Sequence, residues 1–571
     1  MKSREFKRSK RNTTILLASM LLSTSLAVHA DEREDLEKVR ETVLSLIDAL
    51  VKNHILPREK ADALMREAQA RATTNLAQAP APDLSADGKK IVRVPYVPEA
   101  VRVQMRDQIK AEILADTRMQ QPAGYDQDGW LSRFKFEGDV RIREDFIRLD
   151  AGNTSAKTYD TRLSNSLTRV PDFISSFTTS FPNYTYNTQQ NVDRLRLRAR
   201  LGATVKVADD VTAGLTIATG SSTSGPTSTN QTLGQGSSAS PGFFNKDAVV
   251  LDKAYIKYQP LSWLSLTGGR ISNPFVSTDL VWADDLNFDG IAMTVKPQLK
   301  TLFANMPETF ITAGWFPLTT GVPNQTASRN LFALQGGADW QLGTADNHVK
   351  LAAALYDYQN ISGQHQSDAS YISANPNYLT SAYSSAYAQH GNTLFCINGP
   401  SDPSCTWGLA SAFRELDITG SVDIAQFEPV HVVLTGDFVK NLAFSQSDMK
   451  ARTGATIGTI LDGKSIGYMG KIQVGAPKIT HRGDWNASFA YRYLGSDAVL
   501  DAFTSSDFGL GGTNSRGTVL GFNYGIEKNT WLSLRWMSSD LIDSMVPATS
   551  AVLVPSKYST DLIQLDLNVR F

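Results

Sequence analysis

Cysteine is nearly absent from this chain, with two residues in 571, and histidine is scarce, with seven. A structural zinc site built on several thiolates is therefore excluded, because such sites use clusters of Cys and His at short spacing. Nucleophilic catalysis needs a positioned base beside its nucleophile. The histidines offer little: His29 and His54 lie in N-terminal segments, His348 and His431 sit near turns, and no Ser/His/acid set stands out. Charge of one sign is also missing, since 56 basic residues face 57 acidic ones, so there is no electrostatic footprint for nucleic acid. After residue 28 there is no apolar run near the ~20 residues that a membrane-crossing helix requires.

Residues 1–30 show a targeting pattern. Lys2, Arg4, Lys7, Arg8, Lys10 and Arg11 precede an apolar stretch from Ile15 to about Val28, and small residues surround Val28-His29-Ala30. This predicts a secretory signal cleaved after Ala30. Its removal takes away six basic residues and one acidic, so the net charge of −1 becomes −6. In the oxidising compartment beyond, Cys396 and Cys405, nine residues apart in a Gly/Pro/Ser-rich stretch, are expected to form a local disulfide.

Residues 31–121 have helical periodicity. Leu36, Val39, Val43, Leu46 and Leu50 form a short seam that suits a coiled coil, with a helical hairpin closed on residues 58–71 as the competing reading. An Ala/Pro-rich linker follows at residues 77–87, and Pro98 opens a second helical stretch with Val101, Met105, Ile109 and Ile113 on one face.

From Trp130 the period changes to two. In the last eleven residues, Ile563, Leu565, Leu567, Val569 and Phe571 alternate with Gln564, Asp566, Asn568 and Arg570. One face of such a strand meets an apolar medium and the other does not. Sixteen candidate strands are countable: about 132–148, 192–207, 211–219, 249–259, 263–270, 288–296, 309–316, 331–341, 348–358, 414–425, 430–440, 465–475, 484–494, 517–525, 530–538 and 561–571. Alternation is weakest near 309 and 331. The connections alternate in length: 208–210, 260–262, 426–429 and 527–529 are tight, while 149–191, 220–248, 359–413, 441–464, 495–516 and 539–560 are long and polar. Short inner turns and long outer loops are the rule of transmembrane barrels. A water-soluble β-sandwich would not explain the export signal, the terminal Phe571 and this loop-length alternation together. The expected fold is an all-β transmembrane barrel of about 16 antiparallel strands over residues 130–571, preceded by a short α-helical periplasmic region. The low mean hydropathy of −0.22 agrees, because only alternate residues face lipid.

The strand around Arg194, Arg196, Arg198 and Arg200 is the most informative interior feature. Leu195, Leu197, Ala199 and Leu201 must face lipid, since an arginine there would cost ~2–4 kcal/mol near the midplane. The arginines therefore form an inward ladder. The preceding strand adds Lys135, Arg141 and Arg143 against Glu137, Asp139 and Asp145, giving a basic wall. In a sixteen-strand barrel, the tenth strand lies opposite, with Asp417 and Asp423 inward, and the next adds Asp437. A basic wall facing an acidic one predicts a transverse field across the lumen; the alternative is solvated charge with pairing between neighbouring strands.

The residues also resemble the bacterial putative porin family over nearly all of the mature chain. The resemblance is carried by Val94-Pro95-Tyr96-Val97-Pro98-Glu99, by Arg270-Ile271-Ser272-Asn273-Pro274-Phe275, and by Thr278-Asp279-Leu280 running on to Gly290. It implies an outer-membrane diffusion channel for small hydrophilic solutes or ions, with no cofactor, no metal and no enzymatic turnover. It also implies a coiled segment for oligomerisation or attachment to a cell-envelope partner, so that a barrel acting mainly as an outer-membrane tether is the alternative role. Outer-membrane lipids and a homotrimer are the expected associations. By analogy with other such barrels, the third outer connection would fold inward and bring Asp279, Asp284 and Asp285 to the ladder; packing at the rim or against a subunit is the other reading. The surplus of inward bases on the first two strands predicts a weak preference for anions.

Overall fold

The computed structural model describes residues 130–154, 188–220, 225–234, 244, 246–297, 306–321, 327–343, 347–365, 381–384, 386–397, 407–453, 465–543 and 557–571. They lie within the second of two units of the chain, residues 124–571. The signal, the helical region 31–121 and Cys405 fall outside the described residues, as does the Cys396 side chain, and with them the disulfide.

Sixteen long strands follow in order: β1 Phe134–Leu149, β2 Val192–Lys206, β3 Val211–Thr219, β4 Val249–Leu261, β5 Leu264–Ser272, β6 Asn287–Val295, β7 Glu308–Thr319, β8 Arg329–Leu342, β9 Asn347–Gln359, β10 Arg414–Phe427, β11 Val430–Asn441, β12 Ile466–Gly475, β13 Trp485–Leu494, β14 Ser515–Glu527, β15 Thr530–Leu541 and β16 Ser559–Arg570. Each pairs antiparallel with its neighbour in sequence, and β1 pairs with β16 from Asp139↔Arg570 to Leu149↔Thr560. The sheet is a closed barrel, as the alternation predicted. Closure removes the unpaired edge that lipid would penalise.

The outward faces expose Leu195, Leu201, Ile291, Leu334, Leu434, Leu534 and Leu565. At the rim of the short turns, Tyr258, Trp263, Trp485, Tyr524 and Phe571 are also exposed, and Trp315 and Tyr491 lie towards the opposite rim. An apolar band between aromatic girdles is how a barrel matches the bilayer.

The seam is tightly fitted. Gly138 and Phe571 exchange backbone hydrogen bonds of 2.9 and 3.0 Å, and a Cβ at Gly138 would lie 2.6 Å from the Phe571 ring. The absent side chain leaves the place for the terminal aromatic. Gly138→Leu is expected to destabilise the barrel by about 1–3 kcal/mol, the usual scale of overpacking. The temperature at which the folded band disappears in a gel-shift assay measures it.

Candidate functional site

The arginine ladder faces the interior because β2 alternates, and its antiparallel register against β1 sets Arg198 opposite Arg141, Arg196 opposite Arg143 and Arg194 opposite Asp145. So many like charges can share a wall only if acids are interleaved. Arg194 and Arg196 reach Asp145 at 2.9 and 3.3 Å. Arg198 and Arg200 reach Asp139 at 2.9 and 2.7 Å. Arg143 is buried and grips Asp566 of β16 with two bonds of 2.7 and 2.8 Å. This last pair ties the basic wall across the β1/β16 seam.

The 273–286 connection folds into the barrel. Its entry is shaped by Asn273, whose side chain accepts from the Phe275 amide at 2.9 Å. Gln335 of β8 then holds Val276 by both its N–H and its C=O, each at 2.8 Å. Phe275 and Trp282 of the loop cluster with Phe288, Phe316 and Tyr356 at ring-centroid distances of 4.8–6.1 Å. Leu280, Val281 and Trp282 are buried. Burial of this apolar face, at ~1.5–3 kcal/mol per large side chain, holds the loop against the β6–β9 wall.

The far side of the loop is charged. Asp285 meets Arg198 at 2.9 Å, Arg200 at 3.4 Å and Arg141 at 3.9 Å. Burial alone would raise its carboxyl, but Arg198, Arg141 and Arg200 overcome that and hold it below the ordinary range. Asp284 is exposed at the loop tip. Crowding by the surrounding barrel and then the nearby Asp279 charge push its carboxyl up to about 6. Asp279 turns the other way and meets the buried Arg492 of β13 at 3.3 Å.

A second connection, 495–514, also folds inward and packs on the first. The Ala283 amide donates to the Phe503 carbonyl at 2.8 Å, and the Thr504 hydroxyl donates to the Leu280 carbonyl at 2.8 Å. The Leu500 amide donates to Glu415 of β10 at 3.0 Å. At the end of this loop, Asp507 accepts from Arg143 at 3.0 Å and from Arg535 of β15 at 2.9 Å. Burial would raise the Asp507 carboxyl, yet Arg143, Arg535, Arg196 and Arg141 together hold it far below the ordinary range.

The structure thus brings Arg141, Arg143, Arg194, Arg196, Arg198 and Arg200 together with Asp285. Lys135 stands apart, exposed near the turn rim beside Glu137. The expected acidic wall needs correction. Asp417 and Asp437 face inward but are buried under the 273–286 loop, where the Thr278 hydroxyl donates to Asp437. Asp423 pairs with His431 at 2.8 Å. Beyond Asp139, Asp145 and Asp566 of the strands, the acids that meet the ladder come from the two inward loops, Asp285 and Asp507, while the 273–286 loop lies over Asp437 through Thr278. Sequence reasoning missed Asp507 and Arg535. Strand parity in β15, with Leu532, Leu534 and Trp536 outward, could have placed Arg535 inward; no local signal marks Asp507.

A family model described as "Putative porin" matches residues 40–571. The chain belongs to the putative porin family. Membership and the closed barrel make this porin an outer-membrane channel protein. No curated protein is significantly similar to it in sequence. Solved structures similar to this porin include OprB of Pseudomonas putida, at 9% identity and TM-score 0.41 over 77% of this chain and 94% of that one. The outer-membrane channel DcaP of Acinetobacter baumannii gives 12% identity and TM-score 0.35 over 77% and 97%. Salmonella typhi OmpF gives 8% identity and TM-score 0.34 over the same shares.

Proposed function

We propose that this porin carries small hydrophilic solutes and ions by passive diffusion along the arginine ladder, with a weak preference for anions. The observation that carries the reading is the balance of charge at the ladder. In one ion-paired network Arg141, Arg143, Arg194, Arg196, Arg198, Arg200 and Arg535 face Asp139, Asp145, Asp285, Asp507 and Asp566, and the Asp284 carboxyl stands near Arg535. Within this group seven positive charges stand against six, a surplus of one. Rows of fixed charge at a constriction set ion preference. In this reading the short turns face the periplasm and the long connections face outward. Proteoliposome swelling tests it: rates should fall steeply as the neutral solute grows, and no swelling with any small solute would overturn the reading.

The preference should depend on pH. With its carboxyl at about 6, Asp284 is charged at pH 7.5 and neutral at pH 5, which raises the surplus from one to two. Anion preference, read as the zero-current potential in a salt gradient, is expected to grow on acidification from pH 7.5 to 5. Asp284→Asn should abolish that change.

A further inference from the structure

On the short-turn side of the 273–286 loop, a cavity of about 360 Å³ lies against the inner face of β4, β5 and β6, within the range of small-molecule sites. It runs from Pro274, at the entry of the loop, to Ser262 and Trp263 of the tight turn. Alternation places its walls. Ile256, Tyr258, Ile291 and Met293 are exposed on the lipid face, so Lys257 of β4 and Thr294 and Lys296 of β6 face the lumen, and the register adds Thr267 and Ser265 of β5. Lys257 stands in one row with Thr267; the next row toward the turn holds Ser265 and Thr294. Lys296 lies beyond, its amide donating to the Trp263 carbonyl at 2.7 Å. The charge here is of one sign. Lys257 is half-buried and Lys296 exposed, neither joins an ion pair among the described residues, and no acidic side chain lines the cavity. The space between the lysines is floored with hydroxyls. Thr294 and Thr312 share one hydrogen bond of 3.1 Å, so the pair keeps one O–H to donate, and Thr294 is the member that lines the cavity.

We propose that this cavity binds the phosphoryl dianion, free or carried by a small solute, over Ser265, Thr267 and Thr294 and between Lys257 and Lys296. The site rests on the channel reading above and narrows it to a solute class. The two lysine Cα atoms stand two strand spacings apart, about 10 Å, and four residues apart along the strand, about 13 Å, hence about 16 Å on the diagonal. A lysine stem reaches about 6 Å and its hydrogen bond about 3 Å more, so one anion midway meets both ammonium groups. Two like charges without an acid between them favour a dianion, which answers both; a monoanion leaves one unmet. Charge-assisted bonds to phosphoryl oxygens are about twice as strong as neutral ones, and the hydroxyls supply further donors. A solute held there sits beside the inward loop, where traffic through the short-turn mouth passes.

Calorimetric titration of the full mature protein in detergent at pH 8 tests this with inorganic phosphate, glycerol phosphate and acetate as probes. At least one of the two phosphates is expected to bind about tenfold or more tightly than acetate, the scale of one charge-assisted bond. The tighter of the two names the carrier of the phosphoryl group. Lys257→Gln and Lys296→Gln should each erase the advantage over acetate. Lys206→Gln should leave it in place, because Lys206 shares the inward parity of β2 but pairs with Asp209 at 3.1 Å and lines no part of the cavity. Phosphates that bind no better than acetate, or an advantage that survives both cavity substitutions or falls equally with Lys206→Gln, would overturn the site. Unit conductance in potassium chloride on the same preparations separates the two readings. A conducting channel with equal affinities fails the site alone, whereas a folded barrel without conductance fails the channel reading and leaves the titration to decide the site.

Discussion

Asp507→Ala is expected to loosen the part of the 495–514 loop around residue 507 from the barrel wall. Asp507 is the only contact among the described residues through which Arg143 and Arg535 hold this loop, at 3.0 and 2.9 Å. Removing one partner of a buried ion pair costs about 3–5 kcal/mol; the low end applies here because Arg143 keeps its two bonds to Asp566 and Arg535 is partly exposed. Loop and lumen are coupled, since 495–514 also fastens the 273–286 loop through Phe503 and Thr504. Limited proteolysis should cut the variant within 495–514 under conditions that spare the wild type, and its unit conductance should be larger. Unchanged protection and conductance would show that the loop's other contacts, among them Leu500 with Glu415, hold it without Asp507. The same anchor sets an acid limit. A carboxyl whose pKa is depressed on folding contributes stability above its unfolded value of about 4 and loses it as pH falls below that. Asp285 and Asp507 are both depressed, so both loops should loosen together below pH 4.

The second large effect concerns selectivity. Arg194 and Arg200 are the most accessible rungs of the ladder on β2, with side chains 28% and 29% exposed, so their charge is least spent on burial. Replacing both with Gln turns a surplus of one positive charge at pH 7.5 into a deficit of one. The zero-current potential should change sign, towards cations. The change should be greatest at low salt, because screening reaches ~10 Å at 0.1 M and shortens as salt rises. Glutamine keeps hydrogen-bonding capacity toward Asp145 and Asp139, so the double variant should fold. A potential that does not move would place the ladder away from the ion path.

The barrel was legible because lipid imposes a strict alternation, and Leu195, Leu197, Ala199 and Leu201 leave Arg194 to Arg200 only one direction to face. It was faint in β7 and β8 for a reason the structure supplies. There the inward residues Phe316, Leu331 and Ala333 are apolar, because they pack under the 273–286 loop, so both faces of the strand look alike in sequence. The same covering explains the misplaced acidic wall: strand parity correctly turns Asp417 and Asp437 inward but cannot reveal that a loop lies over them. Asp285 could be brought to the ladder only by analogy with other barrels. Asp507 could not be foreseen, since its partners Arg143 and Arg535 are 364 and 28 residues away and nothing local to 495–514 encodes its trajectory.

The most direct test is the zero-current potential of the purified wild-type protein in a planar bilayer, with potassium chloride at pH 7.5 and a tenfold gradient. Stepwise conductance with a potential on the anion side is the expected result. A potential firmly on the cation side, or no steps from a barrel that is demonstrably folded, would contradict it.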